Sequence, residues 1–134
     1  MLNGTITIDR SSHGRIADLC ADFVRRSEAT CALLVAQDAS VLYRYGYLEG
    51  LDVDSLSVLA AAAIAATGEI ARLIGETRFD VFMQQGTRRH LQIFRVGESA
   101  VLIALFDDRT TAGMVRLRGQ DAARRLAAVL EPPV

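Results

Sequence analysis

The 134-residue sequence predicts an α+β domain: a five-stranded antiparallel sheet in the order α-β-β-α-β-β-β-α, with one long helix on one face and the terminal helices on the other. Three observations carry this reading. Apolar runs of strand length fall into a group of two and a group of three, each joined by short turns. Between the groups lies Asp52 to Gly75, a stretch of helical length with almost no charge along its middle. At either end of the chain, apolar residues recur at helical spacing.

In chain order, Thr5 to Ile8 is β-prone, and Ser11 or Ser12 is a candidate N-cap. The segment to about Glu28 places Ile16, Leu19, Cys20, Phe23 and Val24 on one helical side, with most of its charge elsewhere. Cys31 to Ala36 and Val41 to Tyr47 read as a hairpin around Gln37 to Ser40, with Tyr43, Tyr45 and Tyr47 on one half-buried face. Phe79 to Gln84, His90 to Val96 and Ala100 to Phe106 read as a meander. Thr110 to Leu130 is a partly amphipathic helix, in which Gly113 and Gly119 predict irregular first turns. No repeat or linker interrupts this order, so residues 1–134 are expected to form one domain.

The long helix is the unusual element. Leu56, Leu59, Ala60, Ala63, Ala66, Ile70, Leu73 and Ile74 gather on one face, the face expected against the sheet. The opposite face holds Val58, Ala61, Ala62, Ala65 and Gly68, with charge only near its ends at Asp54, Glu69 and Arg72. A helix apolar on both sides needs cover on both sides, from its own chain or from another. Asp52 or Asp54 suits its start and Gly75 its end.

Composition excludes more than it identifies. A net charge of −1 gives no bulk attraction for nucleic acid, and none is expected as a partner. All 15 basic residues are arginine, so chemistry that needs a lysine is excluded, the P-loop and the Schiff base among it. Met1 to Ser12 lacks the pattern of a secretory signal, and the alanine-rich helix reads as too short in its apolar part for membrane insertion. Cys20 and Cys31 read as buried thiols of a cytoplasmic protein. His13 and His90 lie in different elements without a nucleophile or ligand set, and Asp107-Asp108 reads as an acidic turn before a helix. No catalytic residue, metal site or cofactor is therefore expected.

Several stretches occur together in a specific order: Ala32-Leu33-Leu34-Val35 with its turn, Ala71-Arg72-Leu73-Ile74-Gly75-Glu76, Arg78-Phe79 and Gln84-Gln85-Gly86. Ala104-Leu105-Phe106-Asp107-Asp108 and Gly113-Met114-Val115-Arg116-Leu117 complete the series. In this order the chain resembles the Roadblock (dynein light chain roadblock) family, most closely its bacterial MglB-like branch, although Ser40 stands where that family often has a turn glycine. The resemblance implies a homodimer in which long helices pair and sheets join, with Ala61, Ile64, Gly68, Phe79 and Val81 at the dimer interface. It further implies a regulator of a Ras-like small GTPase of the MglA type, in bacterial signalling and cell polarity. Such a regulator speeds GTP hydrolysis by rearranging the GTPase's own catalytic residues. Val58, Ala62, Ala65, Glu69 and Arg72 are the GTPase contacts chosen on that basis. The alternatives are a dimeric scaffold without effect on nucleotide turnover, and a small-molecule sensor of profilin-like or PAS-like plan, which would need a sizeable polar cavity.

Overall fold

The computed structural model describes residues 8–132, and most of the stretch expected to be extended at Thr5 to Ile8 lies outside them. Eight elements follow in the expected order: α1 (Arg10–Ser27), β1 (Cys31–Ala36), β2 (Val41–Gly46), α2 (Val53–Leu73), β3 (Val81–Gln85), β4 (Arg89–Val96), β5 (Ala100–Asp107) and α3 (Ala112–Leu130). The five strands form one antiparallel sheet in the order β2-β1-β5-β4-β3. The last strand thus sits between the first strand and the 3–4 hairpin. All six residues of β1 are buried, as a central strand covered on both faces requires.

Alternation along the strands divides the core in two. Ala32, Leu34, Phe94, Leu102, Ala104 and Phe106 face α1 and α3, whose buried stripes are Ile16, Cys20 and Phe23, and Val115, Ala122 and Leu126. Phe23 meets Phe94 edge to face, with centroids 6.4 Å apart. On the other face Leu33, Val35, Ile93, Val101 and Ile103 pack beneath Val53 and Ala60 of α2.

The helix ends explain two departures from expectation. Asp9, not Ser11 or Ser12, caps α1, because its carboxylate accepts the Ser12 N–H at 2.7 Å. Thr111 caps α3 by accepting from Met114 N–H, so the helix is regular from Ala112 despite Gly113. Gly119 has a packing use: the Phe94 ring lies where a Cβ would stand. At the end of α2, Gly75 adopts φ +86 and Glu76 N–H returns to the Ala71 carbonyl, the left-handed stop that the sequence predicts there. In the β1–β2 turn it is Ala39, next to Ser40, that takes the left-handed conformation, at φ 72.

The tyrosine row is only partly half-buried. Tyr43 packs on the α1 side against His13, while Tyr45 and Tyr47 are exposed. Both cysteines are buried free thiols, and burial pushes Cys20 up to about 12.

Candidate functional site

Helix α2 is where the structure departs most from the sequence reading. Of its 21 residues only Val53, Ser57, Ala60 and Ala71 are buried, with Leu56 and Ile64 packed beside them. These positions recur at steps of three, four and seven, so they form one stripe. Leu59, Ala66, Ile70 and Leu73, expected against the sheet, are exposed, and Ile74 beyond the helix end is exposed with them. Leu59 reaches 67% and Leu73 85%. Small residues decide the phase: Ser57, Ala60 and Ala71 let the helix lie on the sheet, and Ser57 satisfies its hydroxyl on the Val53 carbonyl at 2.8 Å. A reading by hydrophobicity alone selects the larger leucines and isoleucines and so rotates the helix. The polar Ser57 at helical spacing from Val53 and Ala60 was the available signal for the true phase.

The cap fixes where this helix begins. Asp52 accepts Ser55 N–H at 3.1 Å and Ser55 Oγ–H at 2.8 Å, and these hydrogen bonds hold its carboxyl below the usual range. From there to Gly68 the only ionisable side chain is Asp54. Contrary to expectation, α2 is long and apolar enough to cross a bilayer by length and composition, yet it is seated on the sheet through its small-residue stripe.

Val58, Ala62, Ala65, Glu69 and Arg72 all lie exposed on α2, within one strip facing away from the buried stripe. Glu69 and Arg72 form an ion pair one turn apart. Leu59, Ala66, Ile70 and Leu73 flank this strip, so the outer half of the helix is a continuous apolar surface closed by one ion pair.

The five residues expected at a dimer interface are not brought together. Ala61, Ile64 and Gly68 are half-buried and, with Arg95 and Glu98 of the sheet, line a cleft of about 360 Å³ between α2 and the β4–β5 end. Phe79 precedes the edge strand β3, and Val81 packs on the opposite side of the sheet, against the α1–α3 core. Along β3, Val81 and its neighbour Phe82 point to opposite faces, Phe82 toward α2.

The residues weighed for chemistry are engaged in ordinary contacts. His90 is buried between Gly86 and Asp108. Asp107 is held below the usual carboxylate range by Arg109, which bonds it at 3.0 Å. Among the described residues no group of three or more histidine, cysteine or acidic side chains is placed to hold a metal ion. An open basin of about 800 Å³ is lined by Arg88, Arg89 and Arg109 beside Glu49, Asp107 and Asp108, a mixed-charge surface.

No family model matches the chain, and no curated protein matches it. Solved structures do. The gliding protein MglB of Thermus thermophilus is 30% identical over 98% of this chain and 100% of that one, with a TM-score of 0.90. Myxococcus xanthus MglB is 32% identical over 89% of this chain and 97% of that one, with a TM-score of 0.84. An MglB described as having a tetrameric arrangement is 31% identical over 97% of this chain and 98% of that one, with a TM-score of 0.90. The fold is thus shared with solved MglB structures, and the chain belongs to the MglB-like branch of the Roadblock family.

Proposed function

We propose that this chain is a homodimeric, non-enzymatic regulator that binds a Ras-like small GTPase of the MglA type and stimulates its GTP hydrolysis. The observation that carries the reading is the outer half of α2, apolar and uncovered along a helix of 21 residues. Burying each of Leu59, Ile70 and Leu73 favours association by roughly 1.5–3 kcal/mol before the cost of joining two bodies is subtracted. One apolar flank then suits pairing with a second copy, through Leu59, Ala66, Ile70 and Leu73.

The neighbouring strip, Val58, Ala62, Ala65, Glu69 and Arg72, serves as the GTPase platform. Its side chains are small, so a switch segment of the GTPase can lie close to the helix backbone and be held in its active arrangement. No arginine finger is required of this chain. Single-turnover GTP hydrolysis by the cognate GTPase, with and without the purified chain, tests the reading. Acceleration that is lost in Ala65→Arg supports it. Binding without acceleration leaves a scaffold, and unchanged binding by Ala65→Arg removes the platform.

A further inference from the structure

A net charge of −1 conceals a strong segregation of charge. Helices α1 and α3 together carry eight of the 15 arginines against three aspartates, while the rest of the chain carries seven arginines against thirteen acids. The two helices lie side by side on one face of the sheet, and their buried stripes turn seven of the eight arginines outward, Arg118 being half-buried in the seam. Arg25 and Arg124 are 69% and 71% exposed. Asp22 is shared between Arg25 at 2.6 Å and Arg26 at 2.9 Å, and Asp121 between Arg124 at 2.5 Å and Arg125 at 3.1 Å. One carboxylate against two guanidiniums leaves a positive surplus on each helix. The acids at the helix ends do not cancel it at the centre: Asp9 and Glu28 cap the two ends of α1, and Glu131 is taken up by Glu98 N–H and Ser99 Oγ–H. Leu117 and Met114 of α3 are exposed on the same layer, Leu117 at 59%.

We infer that the outer surface of α1 and α3 is a docking face for an anionic lipid bilayer. A plane of charge suits a broad cationic face, and α1 alone is about 27 Å long. The seam between the helices holds only about 10 Å³ of open space, so it offers no groove in which an acidic peptide could seat. Exposed Leu117 and Met114 beside the arginines match the headgroup boundary, where apolar tips enter the acyl region while guanidiniums pair with phosphates. The acidic excess elsewhere repels the same surface and so fixes the orientation. Helix α2 lies across the sheet and stays free, so the inference does not rest on the GTPase reading.

Co-sedimentation of the full chain with large vesicles tests it, using phosphatidylcholine alone and phosphatidylcholine with roughly 30% phosphatidylglycerol. The chain should pellet with the anionic vesicles and not with the neutral ones. Raising salt from about 50 to about 300 mM should weaken binding at least about tenfold. The double variant R25E/R124E should bind about 20-fold more weakly at unchanged circular dichroism, and Arg88→Gln in the β3–β4 turn, an exposed arginine off this face, should bind as the parent does. Equal binding to neutral vesicles, loss of binding in Arg88→Gln, or retention in R25E/R124E overturns the assignment. So does absence of vesicle binding, or tighter binding to duplex DNA that shows the same arginine dependence.

Discussion

The buried imidazole of His90 ties the β3–β4 turn to exposed Asp108 at the end of β5. Its Nδ1 accepts Gly86 N–H at 3.1 Å and its Nε2 lies 2.9 Å from Asp108 Oδ1. Because Gly86 donates to Nδ1, Nε2 is the nitrogen that carries the proton and donates to the carboxylate. The two halves of this bridge differ in weight. His90→Leu leaves a turn N–H without its acceptor and should lower stability by about 1–3 kcal/mol. Asp108→Asn removes an exposed contact and should change it by less than about 1 kcal/mol. Urea titration of both variants measures the difference, and equal losses would show that the aspartate, not the turn, is the supported group.

Gly119 faces the ring of Phe94 with no room for a Cβ. Gly119→Ala gains helix propensity of about 1 kcal/mol, yet the clash should outweigh it and leave the variant about 1–3 kcal/mol less stable. Phe94→Leu in that background should recover part of the loss, a coupling that a double-mutant cycle measures directly.

Ala39 holds φ 72 in the β1–β2 turn, where Asp38 Oδ1 accepts both Ser40 N–H at 3.0 Å and Ser40 Oγ–H. A side chain in the left-handed region is strained, so Ala39→Gly should raise stability by about 0.5–1 kcal/mol, less whatever the freer unfolded chain costs. Thermal unfolding should show a modest rise in Tm.

Two substitutions on α2 separate fold from docking. Ala60 lies under the helix and Ala65 on its outer strip. Ala60→Leu overpacks the sheet contact and should cost about 1–3 kcal/mol, whereas Ala65→Arg should leave the unfolding midpoint unchanged. The reverse ranking by denaturation would mean that the helix is rotated from the phase described.

Asp9, Asp38, Asp52 and Asp107 all have carboxyl groups held below the ordinary range by hydrogen bonds from nearby N–H and O–H groups or from Arg109. A depressed folded pKa means that the stabilisation is present above the unfolded carboxylate value and is lost as pH falls through the folded one. Stability should therefore be flat above about pH 5 and decline below about pH 4. Asp9→Asn and Asp52→Asn together should flatten that acid limb, as followed by urea midpoints across pH.

Element order, the hairpin and the meander, and the division of helices between the two faces were legible because alternation and turn residues report them locally, whereas the β1–β5 pairing that joins the two strand groups has no local signal. The β1–β2 and β4–β5 turns fall where Gln37 to Ser40 and Gly97 to Ser99 predict. The phase of α2 was not legible. Ser57, Ala60 and Ala71 touch the sheet because they are small, while Leu59, Ile70 and Leu73 are large and lie outside, so hydrophobicity and burial run in opposite senses there. Val58, Ala62 and Ala65 are exposed in this phase too, Ala65 at the rim of the cleft that α2 forms with Arg95 and Glu98.

The sheet order has a consequence for how the chain comes off the ribosome. β5, which bonds to β1 on one side and β4 on the other, is the last strand made. Until it emerges, the early hairpin and the late one have no common backbone partner, and Leu33 and Leu34 wait without their lid. Refolding of the finished chain is expected to be governed by this one insertion, a distant closure that no local helix can hasten.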